Sequence, residues 1–145
     1  MSVESVAREF ITQMGDIEMT KKRITADAMA SGGVLPKPMP ALDALHLIAG
    51  LKAAMPDLKW NVDSVSVSGN KATIKSTWSG TQTGKLDLGM PGMSALPPTG
   101  KKVSVKDDYI VTVQGDKVSH LEVNSPANGG IPGALAQLGM KMPSM

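Results

Sequence analysis

His120 and Glu122 stand two residues apart in an alternating run from Val118 to Asn124. A histidine and a carboxylate at that spacing on one face of a strand can meet, and they make an acid/base pair. Burial raises a carboxylate's proton affinity and a charged neighbour opposes that rise, which permits proton transfer near neutral pH. Asp107 and Tyr109 repeat the spacing in an earlier run. If Val103, Val105, Val111 and Val113 face the core, these two polar groups do so too, because strand side chains alternate between faces. Asp108 then points toward solvent, so Asp107 and Asp108 cannot form a paired-carboxylate dyad. A buried phenol at Tyr109 needs a partner and can orient a ligand carbonyl. In the last run, Val118, His120, Glu122 and Asn124 share one parity, while Ser119, Leu121 and Val123 share the other. Hydropathy alone leaves the inward face open.

The same inventory excludes other chemistry. With two histidines and no cysteine there is no thiolate, no disulfide and no recognisable metal-ligand spacing, so neither metal nor cofactor is expected. His46 falls off the apolar stripe of its helix and reads as a surface residue. Ser79, in Ser-Gly-Thr, lacks a nucleophile-elbow sequence. A net charge of +2 with dispersed lysines gives no basic face for nucleic acid. No stretch approaches the ~20 apolar residues of a membrane span and the N-terminus lacks a signal-peptide core, so a cytoplasmic protein without membrane contact is expected.

The elements that must position these residues follow from periodicity. A chain of 145 residues predicts a single domain, 1–145. Val3, Val6, Ala7, Phe10, Ile11 and Met14 recur at helical spacing, and Asp16 offers an N-cap for a short second helix. The segment from Thr25 to Pro40 is small, Gly-rich and Pro-rich, and is expected to be mostly loop. Ala41, Ala44, Leu45, Ile48, Leu51 and Met55 predict a helix from about Pro40 to Met55. After Pro56, Leu58, Trp60 and Val62 share one parity and Val65 and Val67 the other, which predicts a β-bulge. Gly69-Asn70 turns that strand into Lys71 to Ser79, and Gln114 to Asp116 turns a long strand into Val118 to Asn124. Helices first and antiparallel strands afterwards predict an α+β domain with helices on one face of a bent sheet. Two tryptophans, one tyrosine and one phenylalanine against eleven methionines predict an aliphatic core. Met90, Met93, Met140, Met142 and Met145 fall in Gly/Pro-rich segments and are candidates for a lid or a partner surface.

Trp78-Ser79-Gly80-Thr81-Gln82-Thr83-Gly84 followed by Leu96-Pro97-Pro98-Thr99-Gly100-Lys101 resembles the WSGTHTG and PTGK segments of the SnoaL-like polyketide cyclases, or ester cyclases. Ala54-Met55-Pro56-Asp57-Leu58-Lys59-Trp60, Gly115-Asp116-Lys117-Val118 and Gln137-Leu138-Gly139 agree with further segments of that family. The resemblance runs from about Gly15 to Gly139. It implies a nuclear-transport-factor-like cone: a curved antiparallel sheet wrapped on N-terminal helices, with a pocket on the concave side; the chain's own residues add a lid-like excursion at about 84–100 and a Met-rich tail at about 125–145. It also implies a homodimer formed through the outer sheet face, which Ile110, Leu121 and Val123 would suit.

Counted in the family register, His120 and Glu122 point inward. The family's usual Asp of the preceding strand falls at Tyr109 and its last-strand Asp at about Pro126, with Asn124 the nearest polar substitute. Gln82 stands where the family usually has His. The implied function is binding of a small apolar or polyketide-like molecule and cofactor-free, aldol-type acid/base chemistry. His120 would be the acid/base and Glu122 its orienting partner. Tyr109, Asn124 and Gln82 would hydrogen-bond ligand oxygens, Asp107 would be a further pocket acid, and Trp78 would pack the ligand's apolar body. The alternatives are a non-catalytic small-molecule-binding protein on the same scaffold and a dimeric accessory module.

Overall fold

Two capped helices open the chain in the computed structural model, which describes residues 2–14, 16–32, 37–86, 95–126 and 129–139. Helix α1 (Val3–Thr12) starts where the Ser2 hydroxyl accepts the Ser5 amide at 3.1 Å, and it buries Val6, Ala7, Phe10 and Ile11. Helix α2 (Ile17–Thr20) starts where Asp16 accepts the Met19 amide at 3.2 Å. A 3-10 turn, Lys21–Arg23, follows.

The expected loop after Thr25 is instead strand β1 (Ile24–Gly32), and only two residues, Met39–Pro40, form β2. Ala26, Ala28 and Ala30 have little preference for strand. A neighbouring strand holds both ends of β1: it runs parallel to β6 (Lys117–Asn124), with Ile24 opposite Val118 and, after a register irregularity that spans Ala26 and Ala28, Ala30 opposite Leu121 and Gly32 opposite Val123. Gly32 has φ +84, and a Cβ there would collide with the Val123 carbonyl. Only glycine lets the two backbones approach so closely.

Helix α3 (Ala41–Ala54) matches its predicted stripe, with Ala41, Ala44, Leu45 and Leu51 buried. Strands β3 (Lys59–Ser68), β4 (Lys71–Thr81) and β5 (Lys102–Gln114) pair antiparallel, and the predicted bulge falls between Val62 and Ser64. Among the described residues six strands lie in the order β2-β1-β6-β5-β4-β3, and β1–β6 is the one parallel pair. Inward residues of β4 and β5 (Ala72, Ile74, Trp78, Val103, Val105, Val111 and Val113) share one core with α1 and α3. This is the α+β architecture expected, a curved open sheet with helices against its inner face.

A second bulge corrects the register of the last strand. Val113 pairs with Val118 but Thr112 pairs with His120, so Ser119 is the extra residue. Val118 and Leu121, of opposite parity, are therefore both buried. His120 and Glu122 do not point inward. Leu121 and Val123 do, so of the three aliphatic residues expected to suit an outer interface only Ile110 lies on that face.

Helix α4 (Gly130–Gln137) closes the sheet where β6 runs out opposite Asp108. Gln137 Nε2 donates to the Ser104 carbonyl at 3.0 Å and its Oε1 accepts the Ser104 amide at 3.1 Å, so one side chain imitates the missing strand neighbour.

Candidate functional site

Three of the four aromatic residues in the chain converge on one carboxylate. Asp107, on an inward position of β5, is 3% exposed. Its Oδ2 accepts the Tyr109 hydroxyl at 3.0 Å and the Trp78 indole N–H at 3.3 Å, and its Oδ1 accepts the Ser125 hydroxyl at 2.8 Å. Trp60 Nε1 donates in turn to Tyr109 Oη at 3.1 Å. The two indoles lie 5.9 Å apart at a 38° tilt. Each ring thus keeps its apolar body in the core and satisfies its polar handle within the cluster.

Burial pushes the Asp107 carboxyl above the ordinary carboxylate range, against the opposing pull of hydrogen bonds from Ser125, Trp78 and Tyr109. Burial first, and then the Asp107 charge, raises Tyr109 well above its usual value, so it remains a neutral phenol. Among the described residues no cation pairs with Asp107. A carboxylate with neutral donors in an apolar setting is suited to exchange a proton with a bound molecule.

Trp60, Trp78, Asp107, Tyr109 and Ser125 line a cavity of about 50 Å³. Ala30, Ala44, Leu51, Trp60, Trp78 and Leu121 form its apolar walls. Exposed Gly32 and half-buried Leu47, Ile48, Val123 and Ser125 place its mouth between α3 and the ends of β1 and β6.

Of the residues singled out from sequence, Trp78, Asp107 and Tyr109 meet here. The other four lie elsewhere. His120 Nε2 is 3.0 Å from the Ser31 hydroxyl on the outer face, and Glu122 accepts from Asn124 Nδ2 at 3.0 Å. No hydrogen bond joins His120 to Glu122 among the described residues, so the geometry does not give the orienting pair that the family register implied. Asn124 is exposed.

Gln82 is fully buried but outside the cavity, and its amide is spent on the chain itself. Nε2 faces the carbonyls of Gly84, Leu96 and Pro97 at 3.0–3.3 Å, and Oε1 accepts from the Thr99 amide and hydroxyl. The two halves of the motif are therefore buckled together, while the amides of Thr83 and Gly84 both donate to Ala54 at the end of α3. The excursion closes with a bridge between Leu86 and Leu96. Residues 87–94, with Met90 and Met93, and residues 140–145, with Met140, Met142 and Met145, lie outside the described residues, and with them the expected lid and tail surface.

Replacing Gln82 with Leu should destabilise the protein by about 2 kcal/mol, since the part-buried carbonyls of Gly84, Leu96 and Pro97 lose their donor. Gln82→His, which keeps one donor and one acceptor, should fall between Leu and the parent in urea unfolding. Equal midpoints for all three proteins would mean that the buckle contributes nothing.

Two members of the cluster escaped the sequence reading. Trp60 carried a signal, since an indole at an inward position needs an acceptor and Tyr109 was the obvious candidate. Ser125 carried none, because it lies beyond its strand and only the fold brings it to Asp107. Among the described residues no three His, Asp or Glu side chains stand close enough to share a metal ion, and no helix is long and apolar enough to cross a membrane.

Comparison with known proteins agrees with the fold. The fold is shared with AclR from Streptomyces galilaeus (18% identity, 97% of this chain and 84% of that one, TM-score 0.73). It is likewise similar to IdmH from Streptomyces antibioticus (19%, 97% and 100%, TM-score 0.72) and TsrD from Streptomyces laurentii (19%, 94% and 94%, TM-score 0.68). No curated protein sequence matches the chain. The model of the family described as SnoaL-like polyketide cyclase matches residues 5–122, which carry β1 and β3–β5, helix α3 and most of the cluster around Asp107, and the chain belongs to that family.

Proposed function

We propose that the protein takes up a small apolar, oxygenated molecule of the polyketide kind and moves a proton within it without a cofactor, with Asp107 as the acid/base. The observation that carries this reading is a carboxylate of raised proton affinity, surrounded by neutral donors, in the lining of an apolar cavity. In the carboxylate form, Asp107 takes a proton from a carbon beside a ligand carbonyl, and the electron pair stays on the ligand as an enolate. Protonation makes Asp107 a weaker acceptor, which frees the Tyr109 hydroxyl to turn toward the enolate oxygen. In an aldol-type closure the enolate carbon attacks a second carbonyl, and Asp107 returns its proton to the new alkoxide. The chain thus ends in the protonation state in which it began.

At about 50 Å³ the cavity holds a few waters. Ligand sites commonly span about 300–1,000 Å³, so a polyketide-sized guest requires the cavity walls to give way. The test is deuterium incorporation at the activated methylene of ethyl acetoacetate in heavy water. The protein should exceed the buffer rate by at least about 100-fold, and a rate equal to buffer overturns the catalytic reading.

One observation favours a second reading, binding without turnover: the described donors closest to Asp107 are already spent on it and none is left pointing into the cavity. Quenching of tryptophan fluorescence by ethyl acetoacetate with no gain in exchange is the result that reading expects.

A further inference from the structure

Building on Asp107 as the acid/base, we infer that Ser125 is a positioning residue that makes Oδ1 the working oxygen of that carboxylate, and that the glycine at position 130 leaves the space Ser125 needs. Oδ2 already accepts two hydrogen bonds, from Trp78 Nε1 at 3.3 Å and Tyr109 Oη at 3.0 Å, which occupy its lone pairs. Among the described residues Oδ1 accepts one, from Ser125 Oγ at 2.8 Å. A proton taken from a ligand carbon therefore goes to Oδ1. The carboxylic O–H so formed needs an acceptor, and a serine hydroxyl becomes one by rotating; an indole N–H, which only donates, cannot.

Position supports the same role. Ser125 is half-buried at the cavity mouth, whereas Asp107, Tyr109 and Trp78 are buried, so Ser125 is the cluster's polar contact with the outside. The start of α4 leaves room for it there. Gly130 has φ +61, and a Cβ at that position would collide with Ser125 Oγ and stand 3.3 Å from Asp107 Oδ1. An L residue is disfavoured twice, by its backbone angle and by the hydroxyl it would displace.

The remaining surroundings leave little else to set the proton affinity of Asp107. β5 contributes Tyr109 and, on its other face, Asp108; β4 contributes Ser76 and Trp78; β3 contributes Trp60. The cavity-facing residues of β1 and α3 are Ala30, Gly32, Ala44, Leu47, Ile48 and Leu51, none of them charged. Ser125 is the hydrogen-bonding neighbour that can change from donor to acceptor as Asp107 titrates without breaking a bond to another member of the cluster.

Carboxyl-carbon NMR titration of Asp107 tests this without any ligand, and the indole N–H signals of Trp60 and Trp78 report that the cluster is intact. Ser125→Ala should raise the Asp107 midpoint by about one unit, because a hydrogen bond to the charged form is lost. Ser125→Thr, which keeps the hydroxyl, should titrate near the parent. Gly130→Ala, which moves the hydroxyl, should shift in the direction of Ser125→Ala. Exchange into ethyl acetoacetate should fall about tenfold in Ser125→Ala and return in Ser125→Thr. A Ser125→Ala titration identical to the parent's overturns the inference, even where the parent accelerates exchange and the acid/base reading stands. A shifted titration in a protein whose parent accelerates nothing keeps Ser125 as the residue that positions Asp107 and removes the acid/base reading instead.

Discussion

Asp107→Asn is expected to make the protein more stable at neutral pH, by about 1 kcal/mol, and to abolish exchange into ethyl acetoacetate. The asparagine oxygen accepts from Tyr109 and Trp78 as Oδ2 does. Its nitrogen takes the place of Oδ1 and donates to Ser125, whose hydroxyl rotates to receive it. Packing is retained while a poorly solvated charge is removed. The pH dependence has a definite sign. Below the unfolded carboxylate value of 3.8, both folded and unfolded chains carry the proton and Asp107 does not penalise folding. As pH rises from there, the unfolded chain releases its proton first, because burial has raised the native value. Stability attributable to Asp107 is therefore lost between 3.8 and the native value, and the deficit is constant above it. Urea unfolding of parent and Asp107→Asn across that window should give curves that diverge as pH increases. Parallel curves would mean that burial places no strain on this carboxylate.

Trp78→Ala should have the largest effect on folding, a loss of about 3–5 kcal/mol. Trp78 is 1% exposed, spans the core between β4 and the cavity, packs on Trp60 and donates to Asp107. A domain of this size has about 5–15 kcal/mol in total, so the variant should unfold at markedly lower urea. Trp78→Phe separates the two roles. It keeps most of the buried ring, and should cost about 1–3 kcal/mol while moving the Asp107 titration further upward, since one donor to the carboxylate is lost. A Phe variant with an unmoved titration would show that the bond at 3.3 Å carries no electrostatic weight.

How far the sequence could be read varied along the chain for physical reasons. Helix α3 and strands β4 and β5 were legible because each buries one face, and burial writes a period into the residue order; β3 carries the same alternation although of its residues only Trp60 is fully buried. The same alternation placed Asp107 and Tyr109 on one inward face. It failed in β6, where the extra residue at Ser119 changes parity between Val118 and Leu121, and both candidate registers assumed an unbroken strand. It failed again at β1, which β6 holds as a strand at Ile24 and from Met29 to Gly32.

The motif from Trp78 to Gly84 shows the division within a single stretch. Trp78 lines the cavity, yet Gln82, four residues on, ties the base of the excursion and has no hydrogen-bonding capacity left over. Its identity allowed either role. Only the carbonyls and the threonine brought to it by the second half of the motif decided between them.

By itself, then, the sequence determined the family, the α+β class, the principal helix and the inward side of β5, because these are consequences of local periodicity and of contiguous motifs. Tertiary structure alone decided which carboxylate is buried among donors. That cluster is assembled from Trp60, Trp78, Asp107, Tyr109 and Ser125, on three neighbouring strands and a loop beyond a fourth, with the bulge at Ser119 setting the face that the last strand presents. Hydrogen bonds between residues so distant in the chain leave no periodic trace in it, and a bulge of one residue reverses every side chain that follows.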